Sequence, residues 1–287
     1  MSLRNIKMAV SSNILRAVMM CVLPTVAHGH GTQHHLMEVV DQKIKNSPGD
    51  ADLWYQRAVL NLEHEDTEQA INDVEKAENL SPGKLPTYLL KARAFTLAGK
   101  LTDALSAINT HILRFPEQSC GYTLRARILL KTGAPQGGLM DYRTALAKSP
   151  AAEPDLIHEA SVAMVANGAV DEAIEVLDAA IHRLGPIPSL TMRLLEIEIH
   201  AGRYDAALSH LNTYQESAPR PEPWMAKRAE LLAQAQRIKE SRACWQALAN
   251  HLHNLPAAER DCTSMSLLAA KAQEALTATS PSQFPLE

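Results

Sequence analysis

Three histidines near the N-terminus are the residues of this sequence best suited to metal chemistry. The stretch reads His28-Gly29-His30-Gly31-Thr32-Gln33-His34-His35. Cleavage after Gly29 would put an α-amine and an imidazole on one residue, and imidazole binds Cu²⁺, Ni²⁺ and Zn²⁺. The stretch therefore indicates a Cu, Zn or Ni site at His30, His34 and His35. The alternative is a flexible polar linker that is rich in histidine.

Motifs for catalysis are absent from the sequence. It contains no Gly-x-Ser-x-Gly elbow, no phosphate-binding glycine loop followed by Lys-Ser/Thr, and no Gly-x-Gly-x-x-Gly. His158-Glu159 begins like a metalloprotease helix, but Val162 stands where the second histidine of that motif would be. We therefore expect no enzymatic activity.

Composition narrows the class of protein further. The chain has 287 residues, of which 46% are hydrophobic and only 4% aromatic, which is typical of packed helices. Its 28 Lys and Arg against 32 Asp and Glu leave no basic excess, so we expect no nucleic acid as a partner. Four cysteines without close pairs fit neither a disulfide scaffold nor a zinc ribbon.

The first 29 residues resemble a secretory signal peptide. They contain Arg4, Lys7 and Arg16 but no acidic residue, then an apolar run over 17–27 and the small-x-small exit Ala27-His28-Gly29. The apolar run has about half of the roughly 20 residues that a membrane helix needs, so no stable membrane span is expected after processing. We expect an exported protein, periplasmic or secreted, and an organellar transit peptide is the alternative.

The rest of the chain repeats itself with a period of 34 residues. Prolines reveal the period, at Pro48, Pro82, Pro116 and Pro150. Two series of small residues recur with the same period, one at Ala58, Ala92 and Ala126 and the other at Ala70, Ala104 and Gly138. Large residues keep it as well, at Trp54, Tyr88 and Tyr122. A period of this length indicates a stack of similar supersecondary units.

Each unit is interpreted as two antiparallel helices. Leu53, Ala58 and Leu62 share one face of a helix, and the small residues Ala58 and Ala70 would let two helices approach closely. A glycine between the helices, as at Gly99, can end the first one, and the proline ends the second. Stacked hairpins bury a continuous core that one hairpin alone cannot bury.

An aromatic residue at position 4, Ala at 8, 20 and 27, and Pro at 32 resemble the tetratricopeptide repeat (TPR) family. The first unit carries Trp54, Ala58, Ala70, Ala77 and Pro82, whereas the second has His111 at position 27. The resemblance implies an all-α fold, an α-α superhelix or solenoid of antiparallel helix hairpins. We predict a signal peptide at 1–29, a His-rich linker and lone N-terminal helix at 30–49, a solenoid of about six repeats at 50–256, a capping helix at 257–278 and a disordered tail at 279–287.

The resemblance also implies a concave groove lined by the first helix of each unit. The candidate partner-binding residues at the family's groove positions are Tyr55, Val59, Glu63, Leu89, Arg93, Thr123, Arg127, Lys131, His158, Val162, Met192, Glu196 and His200. Apolar anchors beside a basic stretch would suit an acidic protein or peptide segment. The alternative is that many of these residues are simply solvated.

Three hypotheses follow for the function. The first is an exported, non-catalytic TPR scaffold that binds another protein in its groove. The second is an exported metal-handling protein whose His-rich N-terminus captures the ion while the repeats dock a partner. The third is an assembly factor that self-associates through its diverged terminal repeats.

Overall fold

A computed structural model describes residues 30–149, 153–185 and 187–278, and in this part of the chain every regular element is an α-helix. The fold class predicted from the sequence is confirmed. The helices are α1 His30–Asn46, α2 Ala51–Glu63, α3 Thr67–Leu80, α4 Thr87–Leu97, α5 Leu101–Arg114, α6 Ser119–Lys131, α7 Pro135–Lys148, α8 Pro154–Ala166, α9 Val170–Leu184, α10 Pro188–His200, α11 Tyr204–Ser217, α12 Glu222–Gln234, α13 Ile238–Asn254, α14 Ala257–Arg260 and α15 Thr263–Thr277.

The chain divides into two compact units, Met1–Ala151 and Ala152–Glu287. Unit 1 contains α1 and the hairpins α2/α3, α4/α5 and α6/α7, each packed against the next. Unit 2 contains the hairpins α8/α9, α10/α11 and α12/α13, followed by α14 and α15. In unit 1 the first helices also contact one another, α2 with α4 and α4 with α6.

Small residues bring the two helices of a hairpin close together. Ala58 and Ala70 are both fully buried where α2 meets α3. In the third hairpin, a Cβ added to Gly138 would lie 3.2 Å from the carbonyl oxygen of Ala126 and 3.0 Å from Cγ of Leu130. Such contacts are tighter than most side chains allow, so the glycine permits this approach.

In the first and third hairpins, the aromatic residue at position 4 bonds to the turn that precedes its hairpin. The Nε1–H of Trp54 donates a hydrogen bond to the carbonyl oxygen of Pro48 at 2.9 Å. The hydroxyl of Tyr122 donates in the same way to Pro116 at 3.2 Å. In the first and third hairpins, the spacing between the aromatic residue and the preceding proline therefore corresponds to a contact in the fold.

Ion pairs between side chains join the two helices of a hairpin in unit 1, and one of them also reaches α1. Arg57 of α2 holds Asp73 of α3 through two hydrogen bonds of 2.8 and 2.6 Å, and it reaches back to Asp41 of α1 at 2.8 Å. Two repeats later, Arg125 holds Asp141 through bonds of 2.7 and 2.8 Å. Both aspartates are nearly fully buried, so these guanidinium groups supply the charge that their carboxylates need.

The C-terminal end of unit 2 differs from the prediction of one capping helix at 257–278. The chain forms the short α14 and then α15, with a break at Asp261 and Cys262. Cys262 has an extended backbone (φ −77, ψ 151), so it ends one helix and precedes the next. Met265 and Ala272 of α15 are buried, and the apolar cluster that they share includes Trp245 of α13.

Helix α1 begins at His30, so the segment predicted as a His-rich linker forms its first turns. Val40 and Ile44 of α1 pack against Leu53 of α2 in one apolar cluster. The predicted signal peptide at 1–29 and the predicted tail at 279–287 lie outside the described residues.

Candidate functional site

The first helices of the three hairpins in unit 1 present a shared surface. Because α2, α4 and α6 contact one another in order, residues at the same position of successive repeats form rows across them. Two rows are defined here as the unit 1 surface: Val59, Arg93 and Arg127 at position 9, with Glu63, Leu97 and Lys131 at position 13.

Two of the predicted groove residues belong to the core instead. Tyr55 is 2% exposed and packs in the apolar cluster that α2 shares with α3 and α4. Leu89 is 5% exposed and packs in the cluster of the second hairpin. Neither side chain can anchor a partner, so the prediction has to be corrected at these positions.

The other predicted residues of unit 1 reach the surface. Val59, Arg93 and Thr123 are half-buried, whereas Glu63, Arg127 and Lys131 are exposed. The hydroxyl of Thr123 donates to the carbonyl oxygen of Ser119 within its own helix, at 3.1 Å. The charged groups, rather than Thr123, therefore set the character of this surface.

Arg93 is the most unusual charged residue of the unit 1 surface. Burial lowers the pKa of its guanidinium, and the positive charge of Arg127 lowers that pKa further. Glu63 and Tyr55 act in the opposite direction, but among the described residues no carboxylate lies within ion-pair distance of Arg93. A half-buried cation that no carboxylate of the described residues pairs directly is an arrangement that a bound anion would stabilise.

One surface residue escaped the sequence prediction. Leu97 is 54% exposed at the last position of α4. It occupies position 13, as Glu63 and Lys131 do, so the same counting along the repeat would have identified it. Leu97 supplies an exposed apolar side chain one helical turn from Arg93, in place of the buried Tyr55 and Leu89.

The candidate residues of unit 2 lie on α8 and α10, which contact each other. His158, Val162, Glu196 and His200 are exposed, and Met192 is half-buried. The carboxylate of Glu196 is 3.1 Å from Nη1 of Arg193 in the same helix. Its charge already has a local partner, and the residues at the repeat position of Arg93 are Val162 on α8 and Glu196 on α10, so these two helices have no arginine at that position.

An open recess of about 280 Å³ lies between α3 and α4. Its charged side chains are already paired. Lys91 is 2.6 Å from Glu75, and Glu78 accepts hydrogen bonds from Arg114 at 2.6 Å and from Thr87. The recess therefore offers a ligand no unsatisfied charge.

The proposed metal ligands lie only partly within the described structure. The side chains of His30 and His34 are outside it, and His35 is exposed on α1. Within the described residues, no three His, Cys, Asp or Glu side chains gather where they could hold a metal ion. None of the described helices is both long and apolar enough to cross a lipid bilayer.

Known structures share the fold of this chain. A chain of the APC/C hetero-tetramer Cut9–Hcn1 has a TM-score of 0.50 and 18% identity, over 84% of this chain and 46% of its own length. A chain of Naa15/Naa10 bound to HypK-THB has a TM-score of 0.55 and 14% identity, over 79% of this chain and 34% of its own length. The chain thus spans less than half the length of either structure.

Sequence comparison gives a more local result. No curated protein sequence matches the chain significantly. A family model described as tetratricopeptide repeat (TPR_16) matches residues 159–221, which cover most of α8 and all of α9, α10 and α11. These are hairpins in which the repeat pattern is more diverged than in unit 1. The family match thus places tetratricopeptide repeats at residues 159–221, and the solved structures show that the fold of the larger part of the chain is a known one.

Proposed function

We propose that this protein is an exported, non-catalytic scaffold whose unit 1 surface binds an acidic segment of another protein. The observation that carries the proposal is Arg93, a half-buried guanidinium without an ion-pair partner among the described residues. Arg127 and Lys131, on the neighbouring α6, extend the positive charge along one direction of the surface.

A carboxylate is the ligand that best fits Arg93. Guanidinium and carboxylate form paired, charge-assisted hydrogen bonds, which are stronger where water is partly excluded. The free protein already bears the cost of removing this cation from water, so a bound carboxylate would offset that cost as well as form new hydrogen bonds. The apolar side chains of Val59 and Leu97 flank the cation within the two rows and would contact the aliphatic part of the partner.

Charge on the surface also favours an acidic partner over other classes. Glu63 is the one acidic residue among the six side chains of the unit 1 surface, against three basic ones. The two structures similar in fold are, by their names, assemblies of several proteins, which supports a protein as the partner here. In unit 2, the residue of α10 at the repeat position of Arg93 is Glu196, so we assign anion binding to unit 1 alone.

Selection from a random peptide library would test this proposal. The full chain without residues 1–29 serves as bait, beside the variant Arg93→Gln. The control variant is Arg183→Gln, which removes an exposed arginine of α9 outside the unit 1 surface.

Peptides enriched in Asp and Glu are expected with the unchanged protein and with Arg183→Gln. Arg93→Gln should lose this enrichment, and binding should weaken as salt is raised. Equal enrichment of acidic peptides by all three baits would contradict the assignment of the site. Enrichment of basic or uncharged peptides would contradict the proposed class of partner.

Export is the second part of the proposal and rests on residues 1–29. The basic start, the short apolar run and the small-x-small exit support cleavage after Gly29. Mass spectrometry of the protein purified from its native cells should find His30 as the first residue. A mature chain that retains residues 1–29 would contradict a cleaved signal, and cleavage inside an organelle would indicate a transit peptide.

A further inference from the structure

His210 lies between two carboxylates from different helices of unit 2. Its Nδ1 is 3.1 Å from Oε2 of Glu198, and its Nε2 is 3.3 Å from Oδ1 of Asp178. Asp178 belongs to α9, Glu198 to α10 and His210 to α11. The imidazole therefore bridges two successive hairpins, because α9 is the second helix of the hairpin before α10/α11.

Only the protonated ring satisfies both carboxylates. A neutral imidazole has one N–H donor and one lone pair, so one of its nitrogens would face a carboxylate with a lone pair. The side chain of Glu198 is only 2% exposed, so water has little access to replace a lost donor. The hydrogen bond with Glu198 raises the pKa of His210, against the effect of burial, and the charges of Glu198 and Asp178 raise it as well.

We propose that His210 is a proton-operated lock, which in its protonated state joins the hairpin α10/α11 to α9 and releases it on deprotonation. Folding raises the pKa of His210, so the native state holds the proton more firmly than the unfolded chain. The lock is therefore closed below the ordinary histidine pKa of about 6.5 and opens as pH rises through the raised value. This inference is independent of the function proposed for unit 1.

The surroundings of His210 leave Asp178 and Glu198 as the groups that control it. Asp178 is also 3.6 Å from Nε2 of His182, which is 81% exposed. Helix α12 also packs against α11, and in the described structure it places no charged group within ion-pair distance of His210. The pairs His182–Asp178 and His251–Glu222 of unit 2 each involve Nε2 of the histidine, whereas both ring nitrogens of His210 face a carboxylate.

Unit 1 pairs its buried carboxylates with arginine, whose charge does not change with pH. Its buried carboxylates, Asp73 and Asp141, are paired with Arg57 and Arg125. A guanidinium keeps its charge at every physiological pH, so these pairs do not open. In the fifth hairpin the buried acid is on the first helix and a histidine replaces the arginine, which makes the contact titratable.

A histidine titration followed by NMR would test the lock in the full chain without residues 1–29. Histidine is labelled at Cε1, a chelator is present, and His210→Gln identifies the resonance. The midpoint for His210 should lie above 6.5, and Asp178→Asn should lower it. The control His182→Gln removes an exposed histidine that contacts the same carboxylate and should leave the midpoint unchanged. A midpoint at or below 6.5, or one that Asp178→Asn does not move, would overturn the proposal.

Hydrogen exchange gives an independent measurement of the lock itself. At pH 6, Asp178→Asn or His210→Gln should accelerate amide exchange in α10 and α11 relative to the unchanged protein. At pH 8 the variants and the unchanged protein should exchange alike, because the lock is then open in all of them. Acceleration of the same size at both pH values would show that the contact is merely structural. If His210→Gln does not fold, Asp178→Asn and the titration still decide the question.

Discussion

His111 and Gly121 share one place in the core of unit 1, and we expect substitutions at these two positions to be strongly non-additive. The ring of His111 is fully buried at position 27, where the adjacent repeats carry the buried Ala77 and Ala145. Gly121 of α6 packs directly on this ring. A Cβ at Gly121 would lie 2.8 Å from Cδ2 of His111 and 3.1 Å from Cγ1 of Ile112.

The magnitude follows from these distances. A contact of 2.8 Å forces the imidazole or a helix to move, and overpacking of this kind costs about 1–3 kcal/mol. Replacing a helical glycine by alanine returns about 0.5–1 kcal/mol. The difference predicts that Gly121→Ala alone destabilises unit 1, by up to about 2.5 kcal/mol. In the background of His111→Ala the 2.8 Å contact is gone and only the 3.1 Å contact with Ile112 remains, so the same change should be neutral or stabilise by up to about 1 kcal/mol.

A double-mutant cycle measures this coupling. Hydrogen exchange followed by mass spectrometry on peptides from α5 and α6 gives the opening free energy of unit 1 for the four proteins. Gly137→Ala is the matched control, because a Cβ there meets only the flexible end of Leu129, at 3.3 Å. Its effect should be the same in both backgrounds. An equal loss from Gly121→Ala with and without His111 would refute the packing argument.

Three further predictions concern stability. Arg57→Met should lower the free energy of unfolding in urea by about 2–4 kcal/mol, because the buried carboxylate of Asp73 then keeps only Asn61 as a donor. A loss below about 0.5 kcal/mol, the size typical of a surface ion pair, would contradict this. Burial lowers the pKa of His111 to about 4, so the native state binds fewer protons than the unfolded chain. The free energy of unfolding should therefore fall as pH drops from about 6.5 to about 4, by about 3 kcal/mol at most. His111→Met should abolish this part of the pH profile, and an unchanged profile would count against a buried ring. Arg93→Met should raise the melting temperature of the free protein while binding of acidic peptides is lost, whereas a drop in both would indicate a structural role for Arg93.

The repeat pattern was sufficient to predict the hairpins. The period placed the helix pairs correctly because each repeated residue has a local task, such as the bond from Trp54 to Pro48 or the close contact between Ala58 and Ala70. Glycines with a positive φ occupy the turn between the two helices in the second to fifth hairpins, at Gly99, Gly133, Gly168 and Gly202. In the first hairpin Glu65 takes this conformation instead, at φ 60.

Exposure of the groove positions could not be predicted from the repeat alone. Tyr55 and Leu89 occupy the same repeat position as the half-buried Thr123, and they are buried because each packs in an apolar cluster formed with adjacent helices. The break within the predicted capping helix could not be predicted either, because the break at Asp261 and Cys262 follows no repeat period.

Contacts between residues outside the period also escaped the sequence. The bridge from His210 to Asp178 and Glu198 joins three helices at spacings of 32 and 12 residues, which no motif describes. Gly121 is different, since it stands where the earlier repeats have Leu53 and Thr87, one repeat after the irregular His111. A large residue at His111 and a small one at Gly121, each unusual at its repeat position, could therefore have been interpreted as a pair in which the glycine makes room for the histidine.

Site-specific photo-crosslinking from Leu97 tests the central claim most directly. Leu97 is 54% exposed on the unit 1 surface, and Leu113, 82% exposed on the second helix α5, is the matched control outside that surface. A photoreactive residue at each position, in the cells that make the protein, would be followed by mass spectrometry of the crosslinked peptides. The account predicts crosslinks from position 97 to an acidic segment of another protein, lost with Arg93→Gln. Crosslinks that form only from position 113, or that persist unchanged in Arg93→Gln, would contradict it.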